Sequence, residues 1–348
     1  MSTETVMGWD VGGAHLKAAR LEADGRVSGV WQQRCALWRG MEHLDNALAS
    51  ILDLLPEAQS RHAVTMTGEM TDLFENRDHG VHRLVERLCD RLGGADRVRF
   101  YAGAEGWMNA GSTRLRPQAV ASANWHATAA MVAASLGDAL LVDIGSTTCD
   151  LIPLRGHRVA TASGSDSERL ASGELVYSGV VRTPLMALTD RAPVGGRWTP
   201  LMAEHFATSA DVYRLLGCLP EAADLHESAD GGAKTVAASR IRLARMVGRD
   251  AGELPDAAWQ ELAAWFVDAQ LDKIAQAARQ VLSRGLLPPT APVVTAGTGA
   301  FLGERLAARL GRTAVDFSAL LGDTPDRRDA TWCAPAVAVG WLLTKEKG

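Results

Sequence analysis

The sequence predicts an α/β protein of two domains, each built on a β-hairpin whose turn is suited to an anion. Three stretches carry that expectation. Residues 139–154, ALLVDIGSTTCDLIPL, end an apolar run on Asp143, turn tightly through Gly145-Ser146-Thr147, and resume with the alternation of Cys149, Leu151 and Pro153. Residues 6–21, VMGWDVGGAHLKAARL, repeat the device: Asp10 stands for Asp143, Gly12-Gly13 for Gly145-Ser146, and His15 and Lys17 lie on the returning strand. Residues 293–311, VVTAGTGAFLGERLAARLG, pass from an apolar strand through a glycine-rich turn into a helix, so helix N–H groups point at the turn. Glycine lets backbone amides approach an anion, hydroxyls add donors, and a carboxylate at a strand end can hold hydrated Mg²⁺.

A chain of 348 residues is too long for one ordinary core, which predicts two domains: 1–135 with the closing helix 334–345 packed back on it, and 136–333 with an insertion at about 166–256. The formal charge of -5, from 36 basic and 41 acidic residues, gives no reason to expect a nucleic-acid partner. Cys35, Cys89, Cys149, Cys218 and Cys333 are odd in number and widely spaced, which argues against a disulfide framework or zinc site and fits a reducing cytosol. No apolar run reaches bilayer length, and MSTETVMGWD lacks a basic region followed by an apolar one. The expectation is a soluble cytoplasmic protein acting on small molecules, with a homodimer left open.

In chain order, the first hairpin is followed by a third antiparallel strand over 26–36 after the Asp24-Gly25 turn. Leu44, Leu48, Ile51, Leu52 and Leu55 give 41–55 a helix period that Pro56 ends. Residues 63–68 read as a parallel strand delivering Glu69 in a turn, 81–92 as a helix, 98–101 as a strand and 103–111 as a loop. Residues 122–136 are an alanine-rich helix with Ser122 as N-cap and Asn124 and His126 near its first turn. A strand over 158–163 precedes an irregular, polar stretch in which Asp224, His226 and Asp230 beside Gly231-Gly232 read as a surface turn rather than a metal loop. The longest helix, 256–284, carries Trp259, Leu262, Phe266, Leu271, Ile274, Ala278 and Leu282 on an apolar stripe and stops at Gly285. A strand over 314–317 and a helix over 334–344 follow; Ala336, Ala338 and Gly340 in that helix suit close packing at a hinge between domains.

Hairpin, hairpin, then strand-glycine-helix, in that order, resembles the acetate and sugar kinase, Hsp70 and actin superfamily. This implies a two-domain actin/Hsp70/sugar-kinase-like (ASKHA) fold with ribonuclease-H-like sheets and an inserted substrate subdomain, in which the hairpins clamp a phosphorylated ligand. A narrower resemblance rests on ASANWHATA at 121–129, VDIGSTTCDLIP at 142–153, GELVYSGVVRTP at 173–184, FATSADVYRLLG at 206–217 and ADGGAKT at 229–235. These motifs are similar to those of the hydantoinase and oxoprolinase relatives known as tetrahydromethanopterin-linked C1 transfer pathway proteins. That resemblance implies a transferase of methanofuran biosynthesis. Its substrates would be an aminomethylfuran-methyl diphosphate and a γ-glutamyltyramine-like phenol, which it joins as an ether with release of diphosphate. The alternative is an ATP-dependent small-molecule kinase or oxoprolinase-like hydrolase of the same fold.

On this reading Asp10 and Asp143 orient Mg²⁺ through water. Gly12, Gly13, His15, Gly145, Ser146 and Thr147 hold phosphate, and Lys17 neutralises it. Gly297, Thr298 and Gly299 approach a base in ATP-using relatives; here they line the substrate pocket or pack a helix on a strand. A phenol with a free pKa of about 10 needs a base near neutral pH. Glu69, Asp150, Glu174 and His126 are candidates, with Glu174 preferred because it shares a motif with Tyr177 and Arg182. Arg182 matches a glutamyl carboxylate, and Asn124 and His126 are candidate substrate contacts.

Overall fold

The computed structural model describes residues 5–55, 60–161 and 164–346. The chain divides into two compact units: Met1–Asp138, Leu154–Val159 and Asp316–Gly348 make one, Ala139–Pro153 and Ala160–Val315 the other.

In the first unit, β1 (Thr5–Val11) and β2 (His15–Leu21) form the hairpin and β3 (Val27–Arg34) extends it. There follow α1 (Glu42–Leu52), β4 (Ser60–Met66), α2 (Arg77–Arg91), β5 (Val98–Tyr101), β6 (Trp107–Met108), α3 (Ala110–Leu115) and α4 (Asn124–Ser135). The Pro56 stop predicted for α1 lies outside the described residues. The sheet runs β3-β2-β1-β4-β5-β6, with β1 antiparallel to β2 and parallel to β4. Side chains alternate faces along a strand. Trp9 therefore lines up with Ala18 and Val64, and Val11 with Leu16 and Met66, in apolar rows that pack with Leu44, Leu48 and Ile51 of α1 and Val81, Leu84 and Leu88 of α2.

In the second unit, β7 (Ala139–Ile144) and β8 (Cys149–Arg155) form the matching hairpin; β9 (Arg158–Val159), which pairs with the end of β8, belongs with that end to the first unit. The outer part of the strand predicted over 158–163 includes 162–163, outside the described residues. Then come α5 (Asp166–Ser172), β10 (Leu175–Val176), β11 (Arg191–Val194), β12 (Arg197–Pro200), α6 (Ser209–Leu215), α7 (Val236–Met246), α8 (Asp256–Leu282), β13 (Val293–Ala296), α9 (Ala300–Arg309) and β14 (Ala314–Asp316). The sheet order, β10-β8-β7-β13-β14, repeats the plan of the first: the hairpin partner on one side of the first strand, a parallel strand on the other. Two sheets of this design are the ribonuclease-H-like pair of the actin/Hsp70/sugar-kinase-like fold.

The chain rejoins the first unit at Asp316, earlier than the closing helix. Asp316 accepts hydrogen bonds from Ser318 and Thr331, which tie the strand end to α10 (Arg327–Trp332). The small residues of α11 (Ala334–Lys345) work within this unit. A Cβ on Gly8 would lie 2.0 Å from the Ala336 carbonyl oxygen, so β1 and α11 meet backbone to backbone. Among the described residues, no helix is long and apolar enough to cross a membrane.

Candidate functional site

The turn of the second unit is closed by the Gly145 amide, which donates to the Thr148 carbonyl at 2.8 Å. Behind it the 178–183 loop supplies three backbone donors: Val180 N–H to Gly145 O at 3.1 Å, Val181 N–H to Ser146 O at 3.1 Å and Arg182 N–H to Ser146 O at 2.8 Å. Gly179 makes this possible, since a Cβ there would sit 2.4 Å from Ser146 C and Thr147 N. The loop is itself anchored. Gly179 O accepts from Gln270 Nε2 at 2.9 Å and Ser209 Oγ at 2.9 Å, and Gln270 Oε1 accepts from the Tyr213 hydroxyl at 2.7 Å. With the turn carbonyls so occupied, the amides of Ser146 and Thr147 donate to no protein acceptor among the described residues, although both residues are half-buried. Paired amides free of protein acceptors on a rigid, partly desolvated turn are the elements of an anion cradle.

Asp143, the penultimate residue of β7, stands beside that turn and is 7% exposed. Gly297, at φ +79°, packs against it: a Cβ would meet Ile144 O at 2.3 Å and Asp143 Oδ1 at 2.4 Å. The Gly299 amide donates to Ile144 O at 2.7 Å, and Thr298 is buried. Gly297-Thr298-Gly299 thus seats α9 on the end of β7, the packing alternative left open by the sequence.

The first unit's turn has the same closure, Gly12 N–H to His15 O at 3.0 Å, but different supports. Gly13 O accepts from the Leu37 amide at 3.0 Å. Asp10 and Lys17 stand opposite each other on β1 and β2; Asp10 is 6% exposed and His15 is buried. The Lys17 ammonium donates to the Trp332 carbonyl at 2.8 Å, using one of its three donors to hold the segment that leads into α11. Burial pushes the Cys333 thiol at that junction up to about 12, so it stays an inert, protonated packing group.

Glu69 follows β4 and is 1% exposed. Its Oε1 accepts from the Ser122 amide at 2.9 Å and the Ser122 hydroxyl at 3.0 Å, while Oε2 has no hydrogen-bond partner among the described residues. Burial raises its pKa against the pull of those bonds. Ser122 is not the N-cap of α4: it sits at φ 50°, a left-handed conformation uncommon for a residue with a side chain, and turns both donors to Glu69. Asn124 opens the helix instead, its side chain accepting from Trp125 N–H at 2.7 Å. His126 Nδ1 bonds the Tyr101 hydroxyl at 2.9 Å, and Trp107 and Trp125 close an aromatic group around the pair with ring centroids 5.3 Å from Tyr101 and His126 respectively. Burial lowers the His126 pKa to about 4, so the ring is neutral at pH 7.

Glu174, preferred as base in the sequence, stands in other company. It is 0% exposed, with Arg284 on one carboxylate oxygen and the Thr161 hydroxyl on the other. Asp150 is held by Arg169. Arg182 stands beside the anion turn through its backbone, with an exposed side chain, and Tyr177 is 52% exposed. Asp224 is gripped by Arg214 and Lys234, and Asp230 by Arg242 and Arg245. Gln270, Tyr213, Gly179 and Tyr101 escaped the sequence reading as site residues, and Trp107 was read only as part of the 103–111 loop. Gln270 had a signal, a polar residue inside the apolar stripe of α8.

A sequence model of the hydantoinase/oxoprolinase family matches residues 61–320. The (4-{4-[2-(gamma-L-glutamylamino)ethyl]phenoxymethyl}furan-2-yl)methanamine synthase of Methanocaldococcus jannaschii is 28% identical over 247 residues, 70% of this chain and 72% of the relative. The synthase of the same name from Methanococcus vannielii is 32% identical over 115 residues, 33% of this chain and 51% of the relative. Among solved structures, nucleotide-free acetone carboxylase aligns over 97% of this chain and 70% of its own with a TM-score of 0.58 at 10% identity, a likeness of fold alone. Because the family match takes in about three quarters of the sequence, from β4 of the first unit through the whole of the second, the chain belongs to the hydantoinase/oxoprolinase family.

Proposed function

We infer that this protein is a transferase that forms an aryl–alkyl ether in methanofuran or methylofuran biosynthesis. An aminomethylfuran-methyl diphosphate and the phenol of a γ-glutamyltyramine-like substrate are joined, and diphosphate leaves. The two relatives named as synthases support an enzyme of this pathway. The observation that carries the reading is the rigid turn with the Ser146 and Thr147 amides directed to no protein acceptor.

In the reaction the phenolic O–H gives its proton to a base, the oxygen forms a bond to the furan methylene, and the bond from that carbon to diphosphate breaks with its electron pair. Negative charge grows on the departing bridging oxygen. The 146–147 amides are preorganised donors for such a charge, and donors of this kind lower a barrier by several kcal/mol. Of the four candidate bases, Glu174 and Asp150 are committed to arginines and His126 to Tyr101. Glu69 keeps one oxygen without a protein partner and has a raised pKa, so the base role goes to Glu69. Asp10 and Asp143 present buried carboxylate oxygens, the hard donors Mg²⁺ takes one or two at a time while keeping its waters. Bound there, Mg²⁺ would supply charge neutralisation to the diphosphate.

The test is direct. Protein incubated with Mg²⁺, the furan diphosphate and γ-glutamyltyramine should yield the ether by mass spectrometry with one diphosphate per product, and Asp143→Asn should lower turnover by about 100-fold or more with its melting temperature kept. No ether, together with ATP turnover on a small-molecule acceptor, replaces this reading with the kinase one. Near-normal turnover by Asp143→Asn removes Asp143 from the site.

A further inference from the structure

The first unit contains a cavity of about 260 Å³ at the end of its sheet away from the Gly12-Gly13 turn. Its position follows from register. Met7 lies opposite Arg20 on β2 and His62 on β4, and this is the last row of its face to span all three strands, with only Thr5 opposite Ser60 beyond it. The apolar rows at Trp9 and Val11 are sealed by the helices, but here the row ends in an arginine and a histidine. Arg91, from the last turn of α2, and Arg97, just before β5, complete the rim, while Met7 and Leu92 give an apolar floor.

Among the described residues that line it, three are arginines and none is acidic. Their charge is poorly satisfied by the protein. Arg20 has only Glu22 at 3.8 Å, Arg91 only Asp45 at 3.9 Å, and Arg97 no ion pair among the described residues. None of the three guanidinium groups bonds a terminal carbonyl of α1 or α2, so helix capping does not account for them. His62 adds an oriented donor. Its Nδ1 accepts from the Trp9 indole at 3.1 Å, which places the ring proton on Nε2, and Nε2–H has no protein partner among the described residues. The ring is 7% exposed and lines the cavity. Burial, and then the nearby Arg97 charge, lower its pKa to about 4, so it serves as a neutral donor at pH 7.

We propose that this cavity is a second ligand site, taking a small organic anion whose carboxylate or phosphate head sits among Arg20, Arg91, Arg97 and His62 and whose short apolar body lies on Met7 and Leu92. Ligand pockets run from about 300 Å³ upward, so the occupant is small. The site is distinct from the phosphate turn. It opens at the N-terminal ends of the parallel strands β1 and β4, whereas Gly12-Gly13 lies at their C-terminal ends, roughly 15 Å along β1 at 3.3 Å per residue.

The probe is hexanoate, with hexanol as its neutral counterpart. In ¹H–¹⁵N spectra, with the Trp9 indole resonance assigned through Trp9→Phe, hexanoate should shift that resonance saturably and hexanol should not. Arg97→Gln should weaken hexanoate by about tenfold, and Arg20→Met with Arg97→Gln should remove the shift while the melting temperature stays within a few degrees. Equal binding of hexanol, an unmoved Trp9 signal, or unchanged affinity in the folded double variant overturns the proposal.

Discussion

Among the described residues each unit buries one glutamate, and the two are kept in opposite ways. Glu174 in the second unit, 0% exposed, is compensated by the Arg284 guanidinium and the Thr161 hydroxyl. Glu69 in the first unit, 1% exposed, has hydrogen bonds from Ser122 and a raised pKa. The contrast extends beyond them. The second unit's polar interior holds ion pairs beside the neutral Tyr213–Gln270 bond: Asp211, 2% exposed, holds Arg242, 1% exposed, and Ser239. In the first unit two buried pairs are neutral, Trp9 with His62 and Tyr101 with His126. Ion pairs fix the protonation of a buried acid, whereas neutral pairs leave it to be decided by pH or a ligand. The first unit is therefore the half suited to moving a proton, and the second the half suited to holding a fixed anion.

The sharpest way to break that contrast is to neutralise each glutamate in turn. Glu69→Gln keeps a carbonyl for Ser122 and should reduce ether formation by about 10²–10⁴-fold, the usual worth of a general base, whereas Glu174→Gln should leave turnover within a few-fold. Steady-state kinetics showing the reverse would return the base to Glu174. Next in size, Arg284→Met strands a buried carboxylate and should cost about 3–5 kcal/mol in urea unfolding, most of it recovered in the double variant with Glu174→Gln. A loss below about 1 kcal/mol would mean that Arg284 is not what keeps Glu174 buried.

Acid should act mainly on the first unit. His62 titrates near 4 in the folded protein against an ordinary 6.5. Its contribution is present above pH 6.5 and lost as pH falls toward 4, up to about 3 kcal/mol, because unfolding then takes up a proton that the folded ring resists. His62→Asn should flatten the decline in melting temperature over that interval; an unchanged slope would place the acid sensitivity elsewhere. The smallest effect has the opposite sign. With its folded pKa raised, Glu69 favours folding at low pH and loses that contribution as pH rises through the folded value. The melting temperature of Glu69→Gln relative to wild type should therefore climb from pH 4 to pH 8, and a flat difference would show that the carboxyl titrates normally.

Much of the fold is legible in the sequence because strand alternation and turn glycines are local. The hairpin acids, the third glycine turn and the long helix α8 are observed within a few residues of the predicted places. The stretch that read as irregular holds signals of the same local kind. Ser165 and Glu168 form a capping box that starts α5, Thr208 and Asp211 another that starts α6, and Gly195-Gly196, at φ 55° and 75°, turns the β11–β12 hairpin. The site was less legible. Periodicity marks Glu69 and Glu174 alike as polar residues near strand ends, and only the tertiary partners, Ser122 from 53 residues away and Arg284 from 110, tell the hydrogen-bonded acid from the ion-paired one. Ser122 itself misled, since a serine ahead of an alanine-rich helix looks the same whether it caps that helix or turns away to serve a carboxylate.

The seating of α11 on β1 bears on how the chain is made. Lys17 reaches the carbonyl of Trp332 across 315 residues of sequence, and Gly8 admits the helix backbone that follows. During synthesis the opening strand must wait, with one flank bare, until nearly everything else has left the ribosome, whereas the second unit is almost contiguous and has its partners earlier. Deleting α11 should accordingly leave the second unit folded and the first open to proteolysis, with Gly8 on the uncovered face of the sheet.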